Sequence, residues 1–297
     1  MSHHETSTGA YTRSGGTAMT AEREPATIDL NVDAALLLRD LVGIDAYPVV
    51  LAILPNIYRI EDRDRVRAVL QRQLVEAGII DDDGRIHPAV AHWLRCLDRP
   101  DVELAARISD TTLATDSQSM LRFSLVRRGD SHVMAVRYDD HVVIQSIFPT
   151  GRPMDTVATA LCAALGDWPA LEFDPMVATL TQLAGVPAGS AERRQALLEL
   201  GATPRTAAVL GRELDAVLHR AEVVMIGHRN GSFAQPELCT SVLDTPAGRI
   251  AVIPHRALDG EVWSTYLPGD ASAVRAGVEA LAELLPSGSW SAASRTR

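Results

Sequence analysis

The 297-residue sequence contains no lysine, since all 28 of its basic residues are arginine. A chain without lysine cannot form a lysine Schiff base, complete a P-loop, supply the strand lysine of a protein kinase or use a Ser-x-x-Lys pair. Several large enzyme classes are therefore excluded. The formal net charge of −10 also argues against a general nucleic-acid binder, because an acidic surface repels phosphate backbones.

Cysteine and long apolar runs are sparse as well. Cys96, Cys162 and Cys239 are far apart and form no Cys-x-x-Cys pair, so the sequence predicts free thiols in a reducing cytoplasm. No apolar run reaches the length of a membrane span. Residues 1–25 are polar and lack the apolar centre of a signal peptide, which predicts a disordered leader with Met19 as an alternative start.

Motifs for metal, nucleotide and nucleophilic chemistry are absent or incomplete. The acidic run at 81–84 lacks the ligand spacing of a calcium loop, and His87 and His92 are five residues apart without an HExxH pattern. His228 lies near Ser232, but no G-x-S-x-G elbow accompanies them, and no GxGxxG follows a strand. The sequence therefore predicts no catalytic residue, no metal site and no cofactor.

Strand and helix patterns occur twice in the same order. The first series comprises strands or helices at 27–32, 33–43, 47–54 (a strand), 61–78, 87–98, 102–109, 120–127, 131–138, 141–148 and 153–165. The second comprises a helical region at 175–217, strands at 220–228, 237–243, 249–254 and 262–267, and a helix at 270–286. Each series places four strands before a closing helix.

Two hairpins mark the repeat most clearly, "SLVRRGDSHVMAVRYDD" and "SVLDTPAGRIAVIPH". In the second, Pro246 presets the first corner of a turn, and Gly248 is expected to supply a left-handed position. The repeated order predicts an α+β fold of two duplicated halves, 26–170 and 171–290, related by a quasi-twofold axis, with 291–297 as a tail. Joining two half-sheets into one broad sheet would hide edge strands.

The second hairpin also carries a family resemblance. "VLDTPAGRIAVIPHRALDGEVWSTYLPGD", followed by a helix and "LLPSGSW", resembles the C-terminal signature of the EspG family. "YPVVLAILPNI", "LVEAGIIDDDGRIHPAVAHWL" and "RRGDSHVMAVR" agree in the first half, so that the resemblance runs from about residue 26 to 290. Members of this family are cytosolic chaperones of type VII (ESX) secretion in actinobacteria. "ILPNI" and "RRGDSHV" look most similar to the subgroup serving the first-numbered ESX system.

The resemblance implies a binding protein and no enzyme. Such proteins cover the apolar tip of the PPE helical hairpin in PE–PPE heterodimers, keep the heterodimers soluble and direct them to their secretion system without a cofactor. The implied fold is a central, largely antiparallel sheet with two helical bundles. The partner would lie across the sheet and the bundle at about 173–218, with the loop at 109–119 contributing. Self-association, if any, is expected to be weak, and neither nucleic acid nor a membrane span is expected.

Surface positions near that region provide the candidate contacts. Arginine is favoured in protein interfaces because it forks to carboxylates and stacks on apolar surface. The candidate partner-binding residues are Arg127, Arg128, His132, Arg137, Arg229 and Phe233.

Two other classes remain open on the sequence alone. One is an α+β hydrolase or transferase whose site uses a cysteine or a histidine, among them Cys96, Cys162, Cys239 and His228. The other is a winged-helix regulator that would bind DNA through residues 65–94, where arginines alternate with acidic residues as on a solvated helix face.

Overall fold

The computed structural model describes residues 25–55, 63–112, 120–149, 151–229, 232–233 and 237–293. The predicted leader up to residue 24, the end of the tail and most of the predicted contact loop at 109–119 lie outside these ranges. The helices are α1 Val32–Val42, α2 Arg63–Glu76, α3 Pro88–Asp98, α4 Pro153–Leu165, α5 Leu180–Ala184, α6 Ser190–Glu199, α7 Pro204–Glu213 and α8 Ala271–Glu283. The strands are β1 Thr27–Asn31, β2 Val102–Asp110, β3 Met120–Arg128, β4 Ser131–Tyr138, β5 His141–Ile147, β6 Met176–Thr179, β7 His219–Arg229, β8 Ser232–Phe233, β9 Thr240–Thr245, β10 Gly248–Arg256 and β11 Val262–Pro268.

The described strands form a single sheet. Counted outwards from its centre, the strands of the second half follow the same order as those of the first half. The order is β1-β5-β4-β3-β2-β7-β9-β10-β11-β6, and β8 pairs with β7 outside this path. Every pair of neighbouring strands in this order is antiparallel. The predicted α+β fold with one broad, largely antiparallel sheet is confirmed.

The register shows that the second half of the sheet repeats the first. Val102 of β2 pairs with Arg127 of β3, and His219 of β7 pairs with Asp244 of β9, so both partners are shifted by 117 residues (102 to 219, 127 to 244). The predicted quasi-twofold relation between the halves is therefore present in the hydrogen-bonding register and in the element order.

The quasi-twofold axis passes through the centre of the sheet. β2 and β7 join the halves, and their antiparallel ladder pairs Ala106 with Val223, which are themselves 117 residues apart. α4 and α8 occupy equivalent places in the two halves and pack against each other. They cover a core that includes Leu104, Phe123 and Val223 on one face of the sheet.

The other face of the sheet carries a separate helical group at each end. Val126, Val133 and Ile144 pack with α1 and α3 on the first half. Leu243 and Ile250 pack with α6 and α7 on the second half. Because successive side chains of a strand point to opposite faces, these residues lie on the face that α4 and α8 do not cover. The middle of that face, around β2 and β7, lies between the two helical groups.

Each half also sends a segment onto the hairpin of the other half. After α4, Ala170 forms a parallel bridge with Arg249 at the start of β10. After α8, Trp290 packs on the β3–β4 hairpin and donates its Nε1 hydrogen to His132 Nε2 at 3.2 Å. The segment that follows the closing helix of each half therefore holds that half to the hairpin of the other.

α8 begins and packs as its sequence predicts. The carboxylate of Asp270 accepts a hydrogen bond from the Ala273 amide at 2.8 Å, which caps the helix. Val274, Val278 and Leu281 form the buried stripe at helical spacing.

Two predicted elements are wrong. The apolar run at 47–54 is not a strand, because only residues Val49–Leu51 form a 3-10 turn and Ala52 takes a left-handed conformation. Leu51 is buried by packing above the sheet, so the run is apolar without strand pairing. The helical region predicted from 175 instead begins with β6, which pairs with β11, and α5 starts only at Leu180 after the cap of Thr179.

The role predicted for Gly248 also differs. The turn between β9 and β10 consists of Pro246 and Ala247, and Gly248 already pairs within the strands at φ 147°. A side chain at this position would come within 2.6 Å of the Leu171 backbone nitrogen. Glycine is therefore required here by its backbone angle and by the close approach of the segment after α4.

Candidate binding surface on the central sheet

A groove runs across the middle of the sheet, on the face that α4 and α8 do not cover. We call it the sheet groove, and its floor consists of Ala105, Arg107 and Arg122 from the first half and of Val224 and Ile226 from the second. Its cavity measures about 710 Å³. The segments 46–50 and 237–239 line its sides.

One side of the groove presents an exposed apolar side chain on an anchored turn. Val49 is 86% exposed. The turn is anchored because Arg122 Nη1 donates to the Val50 carbonyl at 3.3 Å and Arg137 Nη1 donates to the Leu51 carbonyl at 3.1 Å and to that of Ala52. Cations at the carbonyl end of a helical turn satisfy groups that have no partner within the turn.

Charged side chains occupy one end of the floor. Arg107 Nη2 lies 3.0 Å from Glu222 Oε2, and both side chains are about half exposed. Arg107 pairs in register with Arg122 on β3, which in turn pairs with Arg137 on β4. Burial lowers the pKa of Arg122, and the charges of Arg137 and Arg107 lower it further. Three arginines therefore form one row across adjacent strands.

The opposite end of the floor holds a buried polar cluster. Glu103 is only 3% exposed, and its Oε1 accepts a hydrogen bond from Ser124 Oγ at 2.8 Å. His228 Nε2 lies 3.5 Å from Glu103 Oε2. The serine hydroxyl donates to the carboxylate and not to the imidazole, so the three side chains do not form the Ser–His pair of a catalytic triad. The proximity of Glu103, Ser124 and His228 therefore does not make a nucleophilic site.

Two of the three cysteines are not placed to act as nucleophiles either. Cys96 Sγ lies 3.6 Å from His92 Nε2, but the residue is fully buried and burial raises the pKa of its thiol. Burial likewise raises the pKa of the half-buried Cys162 thiol. A thiol that stays protonated is a weak nucleophile. Cys239 is exposed and lies in the side of the sheet groove.

α3 offers little free surface for the winged-helix alternative. A recognition helix must present one face to the major groove of DNA. α3 instead buries most of its side chains against α1 and the sheet, namely Val90, Ala91, Trp93, Leu94, Cys96 and Leu97.

The described ranges contain neither a cluster of metal ligands nor a membrane-spanning helix. There, no three histidine, cysteine or acidic side chains come together as metal ligands. Within the same ranges, no helix combines the length and apolarity needed to cross a bilayer.

The structure places the predicted contact residues in different environments. Arg127 and His132 are buried beneath the end of the chain, where Arg127 donates to the carbonyl oxygen of Trp290 at 2.8 and 3.1 Å. Arg128 is exposed, and its Nη1 donates to the Arg95 carbonyl at 2.7 Å. Arg137 anchors the 49–51 turn.

The last two predicted residues are described only by their backbone. Arg229 ends β7, and Phe233 in β8 pairs with His228. The described side chains among the six thus do not form one patch, and their contact with a partner stays a prediction. Arg107, Arg122, Val49 and Val224 were missed, although the alternation of their strands would have placed Arg107 and Arg122 on one face once the register was known.

His132 is expected to make stability depend on pH. Its Nδ1 hydrogen donates to the Asp130 carbonyl at 3.2 Å, which leaves Nε2 unprotonated to accept from Trp290. Burial lowers the pKa of His132, and the Arg127 charge lowers it further, while the Asp130 carbonyl acts in the opposite direction. The unfolded chain therefore takes up the proton at a higher pH than the folded protein does. The free energy of unfolding should fall as the pH drops below about 6.5.

Urea unfolding at pH 7.5 and 5.5 measures this effect. The difference between the two pH values should be larger for the wild type than for His132→Gln, because the variant removes this titration and leaves the other histidines in place. Equal differences would show that the bond between His132 and Trp290 does not respond to protonation.

Comparison with known proteins identifies the class to which this fold belongs. A family model described as "EspG family" matches residues 31–280. The ESX-1 secretion-associated protein EspG1 of Mycobacterium tuberculosis is 30% identical over 264 residues, 89% of each chain. The ESX-3 secretion-associated protein EspG3 of Mycolicibacterium smegmatis is 32% identical over 271 residues, 90% of this chain and 89% of the relative.

A solved structure has the same fold. It is the M. tuberculosis type VII secretion system chaperone EspG5 in complex with a PE25–PPE41 dimer, which matches with a TM-score of 0.73 at 21% identity and covers 90% of this chain and 100% of EspG5. The chain described here belongs to the EspG family, as its hairpin signatures predicted. Relatives named for two different ESX systems are similarly close, so the assignment to the first-numbered system stays a prediction.

Proposed function

We propose that this protein is a cytoplasmic chaperone of a type VII (ESX) secretion system and that it binds PE–PPE heterodimers through the PPE subunit. Membership of the EspG family carries this proposal, supported by a structural relative that was solved with a PE–PPE dimer. The bound heterodimer is kept soluble and is delivered to its secretion system. The chaperone provides a binding surface and performs no covalent chemistry.

The sheet groove is the surface that fits such a partner best. Its middle is apolar, since Ala105, Val224 and Ile226 form the floor and Val49 stands at the side. An apolar helical tip gains free energy when it leaves water, at roughly 25 cal/mol per Å² of buried apolar surface. The flanking helical groups can enlarge the contact towards the roughly 1,600 Å² of a standard protein interface.

The end of the predicted bundle and the first residues of the predicted contact loop lie near the same groove. β2 continues from Arg107 in the floor to Ser109, where the predicted loop begins. The Thr111 amide donates to the Leu218 carbonyl at 2.8 Å, at the end of the predicted 173–218 bundle. A partner seated in the groove can therefore reach both the start of the loop and the end of the bundle, as we propose.

Chemical labelling at Cys239 tests where the partner lies. Cys239 is exposed in the side of the groove, Cys96 is buried and Cys162 is half-buried. A maleimide should modify Cys239 first in the free protein, as read by peptide mass spectrometry. In complex with the PE–PPE heterodimer encoded beside its gene, labelling of Cys239 should slow by at least about tenfold, because a desolvated interface core excludes the reagent.

Cys162 is the internal control, since it belongs to α4 on the opposite face of the sheet and should react equally in both samples. Val224→Arg places a charge on the apolar floor and should abolish both the complex and the protection of Cys239. A stable complex in which Cys239 reacts at its free rate would place the partner on another surface. Failure of the wild type to form a complex with any PE–PPE heterodimer would overturn the proposed function itself.

A further inference from the structure

The arginine row at the sheet groove is only partly balanced, because Glu222 is the one carboxylate among the described residues that forms an ion pair with it. Arg107, Arg122 and Arg137 are consecutive partners across β2, β3 and β4 and share one face of the sheet. Directly opposed like charges destabilise a sheet, because side chains in such pairs are about 5 Å apart. The row nevertheless lies in a protein whose formal net charge is −10.

The three guanidinium groups have different partners. Arg107 is paired with Glu222 at 3.0 Å. Arg137 donates to backbone carbonyls, including those of Leu51 and Asp139 at 3.1 and 2.8 Å. Arg122 donates to the Val50 carbonyl at 3.3 Å, and over the described residues no carboxylate lies within ion-pair distance of it. Its half-buried guanidinium faces the groove with donors to spare.

The equivalent positions of the second half carry no charge. Arg107 and Arg122 correspond to Val224 and Cys239 at the offset of 117 residues (107 to 224, 122 to 239). The β2–β3 side of the groove therefore carries arginines where the β7–β9 side carries a valine and a cysteine, although the backbone is nearly symmetric and Glu222 also lines the β7 side.

We propose that the PPE segment entering the groove carries an acidic side chain beside its apolar tip and that this carboxylate pairs with Arg122. A planar guanidinium between Val50 and Arg107 suits a forked carboxylate contact, and such charge-assisted bonds are strong where water is excluded. The apolar part of the tip then lies on Val224 and Ile226. The inference rests on the proposed function and gives the partner one orientation in the groove.

The test uses a PE–PPE heterodimer that binds the wild-type chaperone and measures Kd by calorimetry at 50 and 300 mM NaCl. Arg122→Gln should weaken binding at least about tenfold at low salt and reduce the salt dependence, because the carboxylate loses its partner. Arg122→Lys, which keeps the charge, should lose less. Glu222→Gln makes the row more cationic and should tighten binding. Arg85→Gln, at an exposed site outside the groove, is the matched control and should bind as the wild type does.

Arg122 also donates a hydrogen bond to the 49–51 turn, so its replacement could weaken binding by moving that turn. Charge reversal distinguishes this effect from the loss of a direct contact between Arg122 and the PPE carboxylate. Each Asp and Glu at the PPE tip is changed to Arg, and one such variant should lose binding to the wild type and regain it with Arg122→Glu. Unfolding midpoints of all variants confirm that they are folded.

Three results would overturn the inference while the proposed function stands: wild-type affinity for Arg122→Gln, weaker binding by Glu222→Gln, or no acidic tip residue whose reversal is rescued. If the wild type binds no PE–PPE heterodimer, the proposed function fails first and the inference fails with it.

Discussion

Replacing Arg249 with alanine should lower the free energy of unfolding by about 3–5 kcal/mol, because the change leaves a buried carboxylate without its cation. Arg249 is 4% exposed and forks to both oxygens of Asp244, at 2.6 and 3.0 Å. It also donates to the carbonyls of Leu165 and Gly166 at 3.0 Å, where α4 ends. One side chain thus joins the β9–β10 hairpin to the last turn of the other half's helix.

Arg256→Ala is the matched control, since Arg256 also forms a 2.6 Å ion pair, with Glu237, but in an exposed place. Its loss should cost less than about 1 kcal/mol. Urea unfolding with one fitted slope compares the two variants. Similar small losses for both would mean that Asp244 finds another partner. Arg249→Met combined with Asp244→Leu should recover much of the stability, because an apolar pair needs no charge compensation.

Replacing Trp290 with alanine should cost a similar amount, about 3–5 kcal/mol, by opening a cavity in the core. Trp290 is 1% exposed and stacks on the His132 ring with centroids 6.1 Å apart. Its carbonyl oxygen accepts two hydrogen bonds from Arg127, so the backbone of the segment is held as well as its side chain. The contact fastens the segment after α8 to the β3–β4 hairpin.

Trp290→Phe serves as the control, since it retains a buried aromatic ring but removes the indole donor and the five-membered part of the ring. Its cost should be about 1–3 kcal/mol, the range for leaving a buried acceptor such as His132 Nε2 without a partner. Native-state hydrogen exchange gives a second measurement, in which Trp290→Ala should speed exchange in β3 and β4 before it does so in β9 and β10. Uniform acceleration along the sheet would contradict a local fastening.

The features that the sequence predicted well are governed by local interactions. Asp270 predicts the start of α8, and the turn residues of the two hairpins predict the pairs β3–β4 and β9–β10. The repeated order of these elements was enough to predict the halves and the broad sheet. The apolar run at 47–54 misled because Leu51 is buried by packing and not by strand pairing.

The candidate site could be predicted far less completely, because it depends on contacts between distant parts of the chain. Arg127 and His132 read as exposed hairpin residues, and only the folded structure brings Trp290 over them, 163 and 158 residues later. Arg107 and Arg122 become neighbours through the pairing of β2 with β3, and Glu222 joins them through β7. A hairpin pattern contains no information about which strand of the other half will adjoin it.

The near-symmetry of the sheet has a consequence for stoichiometry. Two identical chains meeting at the Ala106–Val223 pairing would form a groove with interchangeable ends, which an asymmetric ligand could enter in either of two equivalent directions. Covalent linkage of the halves lets each position change alone, so that position 107 is arginine while its counterpart 224 is valine. A fused pair can thus become a one-to-one receptor with a defined polarity, whereas a true homodimer must duplicate every change that it makes.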